Sequence, residues 1–480
     1  LYASAGDLEV TTIDAGSQNN VTLKADAGFI TEDGTTAIEI TANQLTATSA
    51  GPISLDTDIA SVTILTTDTG VVQIDEADAM IITSMSTHDG SIAITAGGTI
   101  TAIAITSISD DDNNDIALTT TAGDINVTSV NAGTEGDVTL VSAGSITEDD
   151  VASTLVTADV LVASANGSVT LDTDVTYITM TTTATGDVDI DETDSLTLTS
   201  LVAHDGSITV DTSGAILAQS VISSTDDDSN DITLTTDTGD ILIGVIQGGN
   251  GDHSSVYITT LYGSILTESS DEARVNVFAD QAYLVSSQHI ATEDDPIATK
   301  LNQVEANATY GNTHLANDGA LEIGGVVTSH NGMSSGGEIV VTVDGSVTVT
   351  ETIVATPENP LADGSIVIIS LEDSEVGDDI SVVVGASLES TYSYIQLLAG
   401  DNITIESGSS LVAATTLEIF GDHTNGDDLG TTITIDGTID GSLVHIAGDT
   451  EDDEITTSIL NHDGITVIEG RGAADNLSTT

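Results

Sequence analysis

Apolar residues in this chain recur at every second position in short runs, with Thr, Ser, Asp or Asn between them. Ile92 and Ile94, Ile116 and Leu118, Ile125 and Val127, Val188 and Ile190, Ile208 and Val210, and Ile232 and Leu234 are such pairs. A period of two turns one side of an extended segment inward and the other toward water, so each run predicts a half-buried β-strand. No stripe with the helical period outlasts two turns, and helix content is expected to be close to nil. Turn signals separate the runs: Gly51, Gly70 and Gly90 lie 19 and 20 residues apart, with later turns near Asp115, Gly136 and Gly167. Short strands with turns at this spacing predict a β-solenoid, in which each coil buries its inner side chains only by stacking on the next at about 4.8 Å. The rival architecture is a tandem array of immunoglobulin-like β-sandwiches, which draws on larger core residues and two packed sheets.

A longer repeat overlies the short one. The landmarks ISLDTD, VVQIDEAD, THDGSIAI, DDDNNDIAL and AGDI between 53 and 125 return as VTLDTD, DVDIDETD, AHDGSITV, DDDSNDITL and TGDI between 169 and 241. The offset is 116 residues throughout, from Asp56 to Asp172, Asp75 to Asp191 and His88 to His204. On this basis the chain divides into the end of a preceding unit (1–50), two full units (51–166 and 167–288), a divergent unit (289–400) and a Gly/Asp-rich β segment (401–480). Three of the four prolines fall in the divergent unit. No linker separates the units, which favours one continuous body.

Composition sharpens this picture. With no Trp, three Phe, eight Tyr and four Met, the core must be built from Val, Ile, Leu and Ala, which suits a thin stacked lumen. Four Lys and Arg stand against 78 Asp and Glu, a formal net charge of −74. Nucleic acid and anionic membranes would be repelled. Divalent cations, salt or a basic partner protein are what this charge admits; copies of the chain or the rest of a longer fibre, and host or neighbouring-cell surface glycans, are the other partners expected. There is no cysteine and no apolar run of membrane-spanning length, so membrane insertion is not expected. A beginning at Leu1, inside a repeat, reads as a piece of a longer chain.

The segments GSIAITAGGTITA (90–102), GDVTLVSAGSITEDD (136–150) and GDVDIDETDSLTLTS (186–200), with HIATEDDPIATKLNQVE (289–305), resemble the β-strand repeats of filamentous-haemagglutinin-like giant adhesins exported by two-partner secretion. That resemblance implies a right-handed parallel β-helix and a secreted or surface-bound fibre with attachment or matrix roles. The family's amino-terminal secretion domain has no counterpart in these residues. Around 425–429 and 448–452 the chain weakly resembles calcium-binding glycine-aspartate nonapeptides, but Glu451 stands where a glycine is wanted, and no ligand follows from it.

The acidic clusters are the main candidate chemistry. Asp110, Asp111 and Asp112 with Asp115, and Asp226, Asp227 and Asp228 with Asp231, each precede a strand and so lie in a loop. Adjacent carboxylates are expected to raise one another's pKa unless a cation intervenes, and calcium is the hard cation that suits them. The spacing is not that of a dedicated calcium loop, so a solvated acidic loop stands beside the weak calcium site as a reading. His-Asp-Gly recurs at 88–90, 204–206 and 462–464 without a second nearby histidine, which points to a turn: Gly90 and Gly206 at positive φ, with the Asp bonding local backbone. No enzyme is expected. Lys24, Arg274, Lys300 and Arg471 are too scattered to bind an acidic polysaccharide, and acidic pairs occur in every unit, whereas an active site is a single departure from a repeat.

Overall fold

The alternating runs become strands whose inner residues stack vertically. In the computed structural model, residues 1–480 are described except 33, 35–36, 149–154, 226, 228, 250–252, 269–273, 358–363, 372–376, 424–429, 459–463, 471–474 and 480. Among the described residues there is no helix; 61% of the chain is strand, and the ladders are parallel, forming a β-solenoid. Parallel pairing of the strands excludes the sandwich alternative, whose sheets are antiparallel. The chain forms two compact units, Leu1–Gly214 and Ala215–Thr480.

In the first unit one inner column runs Ile53, Val72, Ile92, Ile116, Val138, Leu161, Ile178, Leu198, each in register with the next. None is more than 1% exposed. Each such side chain contributes roughly 1.5–3 kcal/mol by leaving water, and the column continues only because every coil repeats the inward parity. Coil lengths are read from the register: 19 residues from Ile53 to Val72, 20 to Ile92 and 24 to Ile116.

Not all strands are short, as the pattern predicts. Ile13–Ala25 has 13 residues, and Ile53–Thr66 and Val169–Thr182 have 14 each. In Ile53–Thr66 the inward positions are Ile53, Leu55, Thr57 and Ile59, then Val62, Ile64 and Thr66. Two consecutive residues, Ala60 and Ser61, point out at the phase change, and the register to the next coil shifts just beyond it, between Val62 and Thr63. One strand therefore lines two walls and turns the corner without breaking.

Other corners are set by glycine and a buried hydroxyl. A Cβ on Gly70 would lie 2.5 Å from the backbone carbon of Gly51, one on Gly90 2.6 Å from the carbonyl oxygen of Gly70, and one on Gly206 2.3 Å from that of Gly186. Gly90 has φ +145°, but Gly206 lies outside the positive-φ region, contrary to the expectation for the His-Asp-Gly turn. Close approach between stacked coils, not backbone handedness, is what both positions share. The aspartate also acts differently from the expected local bond. Thr69 Oγ1 donates to Asp89 Oδ2 at 3.2 Å and Thr185 Oγ1 to Asp205 Oδ2 at 2.9 Å, tying one coil to the next. Beneath the corners, inward hydroxyls donate to glycine carbonyls: Thr87 to Gly90 at 2.7 Å, Thr120 to Gly123 at 3.0 Å and Thr212 to Gly214 at 2.7 Å. These bonds satisfy polar groups that the narrow lumen would otherwise leave without water.

The second unit has the same logic with larger coils. Its column runs Ile232, Val256, Ala282, Val304, Ile323, Val349, Val382, Ile405, Ile435, all fully buried. The step from Val349 to Val382 takes 33 residues.

Candidate acidic sites

The parity that turns Val72 and Ile74 inward also turns Glu76 inward. It sits opposite Thr57 of the preceding coil and is 5% exposed. Its carboxylate accepts from Thr57 Oγ1 at 2.7 Å, from the Ile59 amide at 3.1 Å and from the Asp78 amide at 3.4 Å. Burial pushes its pKa up to about 7, against the lowering effect of these donors. One repeat later Glu192, 4% exposed, accepts from Thr173 Oγ1 at 2.9 Å, Val175 N at 3.1 Å and Asp194 N at 3.3 Å. Its pKa is likewise raised by burial.

Carboxylates flank both. Oxygens of Asp58, Glu76 and Asp78 lie within 4.8 Å of one another, as do those of Asp174, Glu192 and Asp194. A third group of this span in the first unit is Glu32, Glu39 and Asp56. Glu39 is 1% exposed and runs against the strand of Asp56, whose amide donates to Glu39 Oε2 at 2.9 Å. Burial raises the pKa of both Glu39 and Asp56.

The aspartate loops singled out in the sequence are built otherwise. Asp110 accepts from Thr134 Oγ1 at 2.7 Å and Glu135 N at 2.8 Å, stapling its loop to the next coil. Asp111 accepts from its own turn, Asn113 N at 3.0 Å and Asn113 Nδ2 at 2.8 Å. Asp112 is exposed, and Asp115 Oδ1 accepts from Asp137 N at 3.1 Å. In the second unit Asp227 accepts from Ser229 N and Oγ at 3.0 and 2.6 Å, and Asp231 from Ser255 N at 2.9 Å. Asp226 and Asp228 lie outside the described residues. The pKa values of Asp110, Asp111 and Asp227 are lowered, not raised, because hydroxyl, amide and backbone donors outweigh the small raising effect of desolvation. Among the described residues, no three of these loop aspartates converge as the buried groups do.

Two further clusters lie in the second unit. Asp422, Asp449 and Glu451 come within the same 4.8 Å span, with Glu451 N donating to Asp449 at 2.9 Å. The neighbouring nonapeptide-like residues 425–429 are outside the described set. Glu305, fully buried, accepts from Val327 N at 3.1 Å. Its pKa is raised by burial and then by Glu351, which lines an open groove of about 760 Å³ with His330 and Asn331. Parity exposes Glu76 and Glu192 in the sequence. Glu305 and Glu351 meet only through a fold across two coils, and no spacing signals it. His88 and His204 are exposed and their amides donate to Thr66 and Thr182, as fits a turn; His462 is not described.

Compared with family models, curated proteins and solved structures, the chain finds no match in any of the three.

Proposed function

We propose that this chain is a structural segment of a secreted or cell-surface fibre, an adhesin stalk or matrix filament of the filamentous-haemagglutinin-like kind, wound with the right hand that parallel crossovers favour. The observation that carries the reading is the regularity of the inner column. The same inward position recurs coil after coil through each unit, an arrangement suited to extending a body and projecting a surface rather than enclosing one substrate. Its partners are the rest of a longer fibre or further copies, divalent cations such as calcium at the acidic loops, and neutral glycans on a neighbouring surface. Immunogold labelling of intact source cells tests it: label along surface filaments is expected, and label confined to the cell interior overturns it. A self-assembling filament or surface-layer subunit is distinguished by concentration-dependent sedimentation of the purified chain, which a stalk segment would not show.

A second reading, a β-helix enzyme acting on a neutral glycan, attaches to Glu305 and Glu351 beside their groove. Two carboxyl groups flanking the scissile bond are what glycoside hydrolysis uses, and here substrate would have to part a pair that is in contact. Release of reducing sugar from neutral glycans, lost in Glu351→Gln, would establish it; no release with the intact chain removes it.

A further inference from the structure

The three carboxylate groups of the first unit look alike in composition, but their hydrogen bonding separates them. At Glu76 and Glu192 the inward carboxylate is met by a threonine hydroxyl and backbone amides, so both oxygens of Glu76 are satisfied. Those residues are at home in the lumen without an ion. At Glu39 no threonine among the described residues answers. Oε1 of Glu39 and Oε2 of Glu32 are buried and accept no hydrogen bond from any described residue. A buried carboxylate oxygen left in this state is costly and needs either a proton or a cation. No protein cation supplies it: Lys24 is the only Lys or Arg in residues 1–214, and it is paired with Asp26 at 2.9 Å.

The repeat gives a second, independent indication. Ile40 pairs with Thr57 as Val156 pairs with Thr173, so the position equivalent to Glu39 one unit later is Leu155. Asp56 has its counterpart in Asp172 and Glu32 in Glu148, while buried Glu39 stands where the next unit has the half-buried Leu155. A leucine suffices for the coil. Residues 34–40 and 150–156 differ at every position, and among these changes Glu39 is the one that puts a carboxylate without a complete set of donors where a leucine serves.

We propose that Glu32, Glu39 and Asp56 form a binding site for one calcium ion. The three groups supply up to six oxygens, and calcium takes six to eight at 2.3–2.6 Å. Their ligand atoms lie within 4.8 Å of one another, about the widest span two ligands can have across one calcium sphere. Magnesium, which requires a tighter octahedron and sheds water reluctantly, suits this carboxylate-only corner less. The ion ties the strand Ile30–Glu32 and Glu39, which precedes Ile40–Ser49, to Ile53–Thr66, the strand of the next coil that pairs with both.

The test is calorimetric titration of the chelator-treated full chain with calcium chloride, in sodium chloride at fixed ionic strength, comparing the wild type with Glu39→Leu. That variant installs the residue the repeat itself uses and is expected to fold, which the melting curve in chelator verifies. Glu39→Gln serves as a smaller change of the same sign. Wild type should show one binding event per chain that Glu39→Leu lacks or binds at least tenfold more weakly, while Glu76→Gln retains it. Calcium should raise the melting temperature of the wild type by more than that of Glu39→Leu. Equal stoichiometry and affinity in wild type and Glu39→Leu would overturn the site, and so would equal loss in Glu76→Gln. Either result leaves the surface-fibre reading untouched, because that rests on the regular inner column and is tested by where the chain is found.

Discussion

Glu76 makes a sharp test of how the lumen treats charge. An isolated glutamate titrates near 4.5, and burial raises Glu76 to about 7. Because the folded value lies above the unfolded one, the folded chain holds a proton that the unfolded chain releases in this window. The stabilisation is complete below about pH 4.5 and is lost as pH rises to about 7; above that the loss is constant. A shift of about two and a half pKa units corresponds to about 3 kcal/mol. Glu76→Gln keeps the shape and removes the titration. Its amide nitrogen can donate to Thr57 Oγ1, while its oxygen accepts from the Ile59 and Asp78 amides that already point at this carboxylate.

The comparison of wild type and variant isolates this one group, since Glu192 and every other carboxylate are common to both. Coils couple chiefly to their neighbours, so the appropriate assay is local: hydrogen exchange at the Ile59 and Asp78 amides, in chelator at constant ionic strength, from about pH 4.5 to about pH 8. The two proteins should be equally protected at the acid end. The variant should gain up to about 3 kcal/mol, roughly a hundredfold in protection, at the alkaline end. A difference that does not change with pH would refute the reasoning, because it would mean that Glu76 titrates as an exposed residue does.

Three other outcomes follow from the structure. Gly206→Val should cost more than the about 1 kcal/mol typical of glycine propensity effects, because a Cβ there meets the Gly186 carbonyl at 2.3 Å. Hydrogen exchange should show the damage only in adjacent coils, and a uniform loss of protection would contradict nearest-neighbour coupling. Lowering the ionic strength in chelator should lower the melting temperature through self-repulsion, with millimolar calcium restoring it at far lower ionic strength than sodium; equal recovery at matched ionic strength would reduce the effect to screening. Glu351→Gln should move the pKa of Glu305 partway back toward the ordinary range, leaving the part due to burial, and an unchanged side-chain NMR titration would show that the two carboxyls do not interact.

The walls of the solenoid were legible in the sequence because period-two parity needs no tertiary information: Ile92, Ile94, Ile116 and Leu118 face inward as the alternation requires. The same parity carried through VQIDE and VDIDE places Glu76 and Glu192 inward, but their setting among aspartates makes them read as surface charge. Corners were less legible. Thr57, Thr87 and Thr120 are buried donors, yet nothing local separates them from the many threonines that face water. Gly206 was identified as necessary for the wrong reason, since a close approach to Gly186 is a property of two coils and not of one turn. Burial of Glu39 runs against parity, because Ile40 and Ala42 are the inward residues of that strand. Its only sequence signal is Leu155 at the equivalent place.

The outer face raises the question of how so acidic a chain keeps its register. Asp56 lies directly opposite Asp75, and Asp172, Asp191 and Asp211 form a continuous outward row across three coils. A like-charged pair at such a position is unfavourable by roughly 0.2–1 kcal/mol. The inner neighbours of the same strands, Leu55 on Ile74 and Leu171 on Ile190 on Val210, gain roughly 1.5–3 kcal/mol per side chain from burial. A one-residue slip would not separate the aspartates enough to recover their repulsion, but it would turn every inner residue to water. Register is therefore decided inside the coil, and the outer row is free to carry charge that serves solubility and counterion binding. The acidic exterior is tolerated by the fold rather than required by it, which is why its salt dependence and the inner column's stability can be perturbed separately.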